Sequence, residues 1–389
     1  MSGSHRAPRL VQEGSLYLLL LLLPFSKAVI EIASVGLLVG WLWERIDPTT
    51  RFDTVWRAPN LRPLAWLIGA YLGACALSAI GSHDPVSSLR ALVSKWGEYL
   101  LLLVVVADLG HRPAVVKRSL AVVACSSLLV VLEAWSQVRM GRGWLRGYRL
   151  DFFDRVTGPY ENPIDLTTYL MVIIPLLMAY SLTRRWLGRG TLWSLLVLLV
   201  LCLVNARALG AWLGLGVGLV VSLLAGHVTL RKSGVLLAAV TVLAMGWFAH
   251  RSGILQHALP VTDIGRADRW VMWQSALGMI QDRPLFGHGL NTFMANYLDY
   301  WVGGEYQPRY AHNCYLQMAA ETGLNGLSLF LGLLWQLMAQ VIGGVRRSGF
   351  QGAVVLTGLV AGLLAFLAQA GIDTNFYSLR QAAMFWTLA

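Results

Sequence analysis

The sequence predicts an all-α integral membrane protein, and three observations carry that prediction. Hydrophobic residues fill 56% of the 389 positions and charged residues only 13%. Apolar runs long enough to cross a bilayer as helix follow one another along the chain. Two stretches, 136–163 and 250–322, are the only long polar interruptions. With a mean hydropathy of +0.59 and 16 tryptophans, this composition is that of a membrane-embedded chain.

Apolar runs sit near residues 63–80, 92–108, 116–135, 164–182, 190–204, 208–226, 233–249, 324–342, 352–370 and 374–389. Each approaches the ~20 residues that span ~30 Å of hydrocarbon. The first run, 15–43, is too long for one ordinary crossing and carries Pro24, Lys27 and Glu31 in its middle. It reads as two helices joined by a tight turn. That gives about twelve spans in one membrane domain covering 1–389, with loop regions 136–163 and 250–322 on one shared face.

Counting Lys and Arg loop by loop orients the chain. With the amino terminus inside, the inner loops hold sixteen basic residues, from Arg6 and Arg9 to Arg346 and Arg347. Against these stand five acidic ones, Glu13, Glu44, Asp47, Asp53 and Asp108. The formal net charge of +11 therefore lies on the inner face, and the outer side is neutral overall. The basic pI reports membrane topology, and nucleic acid is excluded as the partner. A single crossing at 15–43 would invert every later loop. Arg6 and Arg9 before an apolar stretch also suggest a signal peptide, but Lys27 stands where small residues would be needed and the apolar run resumes at once, so the segment is expected to be retained. Cys75, Cys125, Cys202 and Cys314 are scattered, and three lie within spans; they read as small core residues.

The stretch 250–322 is expected to form short helices packed on the bundle. Arg269, Trp273 and Leu277 fall on one helical face. Asp282-Arg283-Pro284-Leu285-Phe286-Gly287-His288-Gly289 then ends that helix, with His288 as a turn residue, and Ala311-His312-Asn313 opens the next. In the smaller loop, Arg139, Arg142, Arg146 and Arg149 recur at spacings that would align them on a helix, although Gly141, Gly143 and Gly147 weaken it. A solvated or headgroup-binding loop is the alternative.

Arg269, Trp273, the Asp282–Gly289 segment, His312-Asn313 with Tyr315-Leu316-Gln317, then Glu321-Thr322-Gly323 and Gly326 form an ordered set. With Gly158-Pro159-Tyr160-Glu161-Asn162-Pro163 and Arg207 followed by Gly210-Ala211-Trp212-Leu213, this set resembles the O-antigen ligase and polymerase superfamily. Around Arg207 the sequence departs from the family pattern: Ala206 precedes it, and Ala208-Leu209 separate it from Gly210.

The resemblance implies a GT-C-like glycosyltransferase of the bacterial inner membrane, both termini cytoplasmic and the active site periplasmic. Its members transfer a glycan from a polyprenyl pyrophosphate, here undecaprenyl pyrophosphate, to a hydroxyl. The ligase branch, with lipid A–core as acceptor, is the favoured expectation; the polymerase branch and the protein O-oligosaccharyltransferase branch share the donor. The histidine and two arginines retained in the family match His312, Arg269 and Arg207. The residue chemistry agrees with this. A pyrophosphate leaving group needs fixed cations with several donors, which arginine supplies. A neutral imidazole at His312 can accept a hydroxyl proton near neutral pH. Arg142, Arg146, Arg149, Arg155 and Arg266 are candidates for binding anionic substrate, and Asn313 for orienting His312 or the sugar. Tyr310, in an aromatic stretch with Tyr297, Tyr300, Trp301 and Tyr306, would pack sugar rings or form an interfacial belt. No Asp-x-Asp or His-x-x-x-His pair stands on the outer side, so a metal-independent, inverting transfer without cofactor is expected. A transporter is the reading from another class; the absence of similarity between the two halves of the chain speaks against it.

Overall fold

The computed structural model describes residues 6–46, 55–151, 153–224, 235, 260–303 and 310–389. These residues are helical and contain no strand, apart from one bridge between Arg142 and Arg149. The long run at 15–43 is indeed two helices, α1 (Arg6–Leu22) and α2 (Lys27–Ile46), packed on each other as a hairpin. Between them Pro24 cannot continue a helix, and Ser26 Oγ accepts the Val29 amide at 3.3 Å to start the second.

Then come α3 (Arg62–Ile80), α4 (Pro85–Ala91), one π-helical turn at Leu92–Gly97, α5 (Glu98–Gly110) and α6 (Pro113–Met140). They are followed by α7 (Pro163–Leu182), α8 (Trp186–Ala206), α9 (Leu209–Leu224), α10 (Pro260–Asp282) and α11 (Phe293–Tyr297). The chain closes with α12 (Cys314–Arg347), α13 (Phe350–Ala370) and α14 (Leu379–Leu388). Six helical segments among the described residues are long and apolar enough to cross a membrane: Pro59–Ile80, Pro113–Met140, Pro163–Leu182, Trp186–Ala206, Cys314–Arg347 and Phe350–Ala370. The expected run 233–249 lies, but for residue 235, outside the described residues. The run 374–389 forms a 3₁₀ turn and then the ten-residue α14. Ten helical residues rise only ~15 Å, half the hydrocarbon thickness.

α7 is the centre of the bundle. It is apolar on all sides and buried along its length between α8, α9 and α13, as an all-round hydrophobic helix must be. Gly358 and Gly362 on α13 let the two backbones close up, since a side chain at Gly362 would meet the Val172 carbonyl oxygen at 2.5 Å. Cys75, Cys202 and Cys314 are buried, as expected of core residues, whereas Cys125 is exposed on α6.

Hydrogen bonds gather the two polar stretches at one end of the bundle. Arg380 Nη1 donates to the carbonyls of Pro24 and Pro159, both at 3.0 Å. Arg283 Nη1 donates to Gly81 O at 2.9 Å, and the Val156 amide to Asn205 O at 3.3 Å. Among the described residues of the expected inner loops, basic side chains are partly neutralised: buried Glu44 takes Arg9 at 3.0 Å and Arg112 at 3.2 Å, and Asp108 takes Arg45 at 2.7 Å.

Candidate functional site

At the loop end a cavity of about 500 Å³ opens between α2, the π turn, the start of α7 and the segments 310–312 and 373–379. Lys27, Glu31, Lys95, Asp165, His312 and Asp373 line it, together with Tyr99, Tyr310 and Tyr377. Carboxylates and ammonium groups beside tyrosine rings suit a polyhydroxylated, partly charged ligand.

His312 stands just before the cap of α12. Asn313 is that cap, its Oδ1 accepting the Tyr315 and Leu316 amides at 3.0 Å each. Asn313 is therefore occupied in starting the helix. His312 has a left-handed backbone, φ 48, which is uncommon for a residue with a side chain. Four hydrogen bonds hold it there. The Cys314 amide and thiol both donate to Asp373 O at 3.1 Å, the Ala311 amide donates to Gln317 Oε1 at 3.1 Å, and Trp273 Nε1 donates to Ala311 O at 3.1 Å. The first of these sets the 311–314 segment against 373–375, so that His312 Nδ1 lies 3.5 Å from Asp373 Oδ1. Nδ1 is buried and has no hydrogen bond in the structure, while Asp373 Oδ1 already accepts the Thr374 amide at 2.8 Å. A carboxylate facing one ring nitrogen favours the proton on that nitrogen and leaves the other as acceptor.

The helix that follows His312 is anchored from below. α12 is interrupted at Gly323, φ 72 and ψ 177, where a side chain would meet the Leu285 carbonyl at 2.3 Å. Only glycine fits that backbone and that approach. The segment Pro284–Gly289 fills the break: the His288 amide donates to Ala320 O, the Gly289 amide to Glu321 O and the Leu324 amide to Pro284 O, at 3.0, 2.9 and 2.7 Å. This explains the Asp282–Gly289 motif physically, since Gly287 and Gly289 also have positive φ, and Gly287 packs directly on α12 at Glu321 while Gly289 packs on Ser82 and Ser88. His288 is more than a turn residue. It is buried, its Nε2 bonds Met279 O at 3.0 Å, and Tyr300 covers its ring. Burial holds its pKa below the usual imidazole value. Glu321, wholly buried, takes four donors: the Asn291 and Phe293 amides at 2.9 and 3.3 Å, and Gln317 and Tyr377 at 3.1 Å each.

The other candidates distribute as follows. Tyr310 joins His312 in the cavity wall, its ring 6.1 Å from that of Tyr377. Arg269 is half-buried on α10, one turn before Trp273, whose indole bonds the residue next to His312. Arg266 is on the same helix, one turn earlier. Arg207 caps α8 in the left-handed conformation, φ 49, so the two-residue link Arg207-Ala208 turns the chain directly into α9. Its side chain is exposed. Arg142, Arg146 and Arg149 are exposed and Arg155 is paired with Asp151 at 2.6 Å; none of the four lines the cavity. The helix that would align Arg139, Arg142, Arg146 and Arg149 does not form, because Gly141 ends α6 at φ 74 and the chain turns back on itself.

Several cavity residues escaped the sequence reading as site residues. Lys27, Glu31, Lys95 and Asp165 were visible as ionisable groups inside apolar runs, a signal in itself. Asp373 carried only the weaker signal of a carboxylate in a short link between two helices. Arg380, buried within 4.7 Å of the Tyr160 ring and beside Gln381, which bonds Asp165, carried the same signal, since it lies inside the apolar run 374–389. Among the described residues no three His, Cys, Asp or Glu side chains converge as a metal-ligand set.

Two comparisons bear on this geometry. A protein of Rickettsia bellii (strain RML369-C) named "Putative polysaccharide ligase" is 24% identical over 297 residues, covering 72% of this chain and 69% of its own. A family model described as O-Antigen ligase matches residues 194–331. That span contains Arg207, Arg269, the Asp282–Gly289 segment and His312, and on it the chain's likeness is to the O-antigen ligase family.

Proposed function

We propose that this protein transfers a glycan from undecaprenyl pyrophosphate to a sugar hydroxyl of lipid A–core, as a metal-independent inverting glycosyltransferase of the bacterial inner membrane. In this reading the chain crosses the membrane about twelve times in a GT-C-like arrangement, with both termini cytoplasmic and the loop end periplasmic. The observation that carries it is His312, set by a left-handed backbone into a polar cavity with Asp373 3.5 Å from its Nδ1.

The acceptor hydroxyl gives its proton to His312 Nε2 as its oxygen bonds the anomeric carbon. The bond from that carbon to the pyrophosphate breaks on the opposite face, so the configuration inverts. The departing undecaprenyl pyrophosphate carries the negative charge, which Arg207 and Arg269 stabilise. Asp373 holds the imidazole tautomer and balances its charge once protonated. Tyr310 supplies a ring face to the sugar, Asn313 fixes the helix start behind His312, and Arg266 and Arg155 support the anionic environment.

The test is transfer by the purified full chain with a polyprenyl-pyrophosphate glycan and a lipid A–core lacking its outer glycan, run beside His312→Ala. A larger glycolipid made by the unsubstituted protein, with a loss on the order of a hundredfold or more in the variant, is expected. Growth of the lipid-linked glycan alone would assign the polymerase reaction instead. Activity abolished by a chelator and restored by Mg²⁺ or Mn²⁺ would sink the metal-independent mechanism.

A further inference from the structure

The arginine-bearing segment 139–149 is too well organised to be a passive solvated loop. Glu133, wholly buried near the end of α6, takes the Leu145 and Arg146 amides on its two carboxylate oxygens, both at 2.8 Å. Ser136 Oγ accepts the Trp144 amide at 2.9 Å, and Gln137 Nε2 donates to Tyr148 O at 3.2 Å. The Gly143 amide closes the turn on Tyr148 O at 2.7 Å, and a side chain at Gly143 would overlap the Glu133 carboxylate. The helix end thus pulls the loop down onto itself and fixes its backbone.

What this rigid turn presents is unusual in combination. Arg139, Arg142, Arg146 and Arg149 are all exposed, and no acidic residue lies between them in sequence. Trp144 and Leu145, at the tip, are 55% and 48% exposed, and Trp135, Val138 and Met140 continue the apolar surface down α6. Four guanidinium groups beside an exposed indole and aliphatic strip match the phosphate layer of a leaflet, where anionic headgroups meet acyl chains. A free anion would use the charge but not the apolar strip. The face is also tied to the cavity: Arg146 Nη2 donates to Tyr148 Oη at 2.8 Å, and Tyr148 Oη to Glu161 at 3.2 Å, next to the cavity residue Asn162.

We infer that the 139–149 turn is a docking face for a net-anionic phospholipid lying in the membrane leaflet, held by Arg142, Arg146 and Arg149 through its headgroup charge and by Trp144 and Leu145 through its apolar part. The inference goes beyond the transferase reading and stands without it, since lipid binding is measured on protein that makes no product. The experiment is native mass spectrometry of the detergent-solubilised full chain titrated with phosphatidylglycerol or phosphatidylcholine. The unsubstituted protein is expected to retain phosphatidylglycerol at least tenfold more tightly. Arg142→Ala/Arg146→Ala/Arg149→Ala is expected to erase that preference with an unchanged thermal melt, and Trp144→Ser to weaken both lipids. Equal retention of the two lipids by the unsubstituted protein, or displacement of phosphatidylglycerol by millimolar inorganic phosphate alone, would overturn the proposal. The first outcome needs no variant, so a misfolded triple substitution does not protect the idea.

Discussion

Glu133 and Glu321 stand under the two loops of the functional end, and comparing them shows how one device serves opposite purposes. Each is a wholly buried glutamate on a long helix, and each takes backbone amides from the loop above it. Glu133 takes two donors, both from the turn it holds, and the side chains of that turn face outward. Glu321 takes four, from three different parts of the chain: the 291–293 loop, its own helix at Gln317, and Tyr377 beside Asp373. The first glutamate builds a surface; the second joins the walls of a cavity.

The comparison is broken most directly by removing each carboxylate. Glu321→Ala leaves four donors without an acceptor and is expected to cost about 3 kcal/mol or more, whereas Glu133→Ala leaves two and costs about 1–2 kcal/mol. Thermal melts of the two purified variants would check this, and equal losses would show that the number of joined segments does not matter. A smaller and purely chemical effect separates the cavity from the surface. Asp373→Asn is expected to lower turnover on the order of tenfold to a hundredfold with little change in the acceptor KM, because the imidazole loses its charge partner in the transition state. If the pH profile of the residual activity matched that of the unsubstituted protein, Asp373 would not be acting through His312.

The smallest effect concerns pH. His288 is buried with its Nδ1 unpartnered, and burial keeps its folded pKa below the unfolded value of about 6.5. A base with a depressed folded pKa stabilises the fold when neutral, so this contribution is present above about pH 6.5 and is lost as pH falls toward and through the folded pKa. The melting temperature should therefore drop by a few degrees between pH 7.5 and pH 5, and His288→Phe should flatten that drop. An unchanged slope in the variant would assign it elsewhere, for example to carboxylates of the cavity.

How much of this was legible in the sequence depended on how far apart the partners lie. Local signals read well: Pro24 and Lys27 split the first apolar run, Asn313 announced a helix, and Pro284 with Gly287 and Gly289 ended one. The arginine spacing misled because periodicity describes a helix only while the backbone continues as one, and Gly141 stopped it with a left-handed cap. His312 was readable from its motif, but its partner Asp373 lies 61 positions later, and nothing local marks a carboxylate that becomes adjacent only when two segments pair through a backbone hydrogen bond. Arg380 is an extreme case. It bonds the carbonyls of Pro24 and Pro159, which no pattern of residue types could have foretold.

Gly323 has a mechanical consequence. α12 has 34 residues, and as a continuous rod it would carry any tilt imposed by bilayer thickness straight to the histidine at its tip. The interruption divides it into a short upper piece, bolted to the 284–293 loop and to Tyr377, and a lower piece of membrane-spanning length. Thickness mismatch then acts on the lower piece and meets a joint before it reaches His312, so the height of the histidine over Asp373 is referenced to the neighbouring loops and not to the lipid.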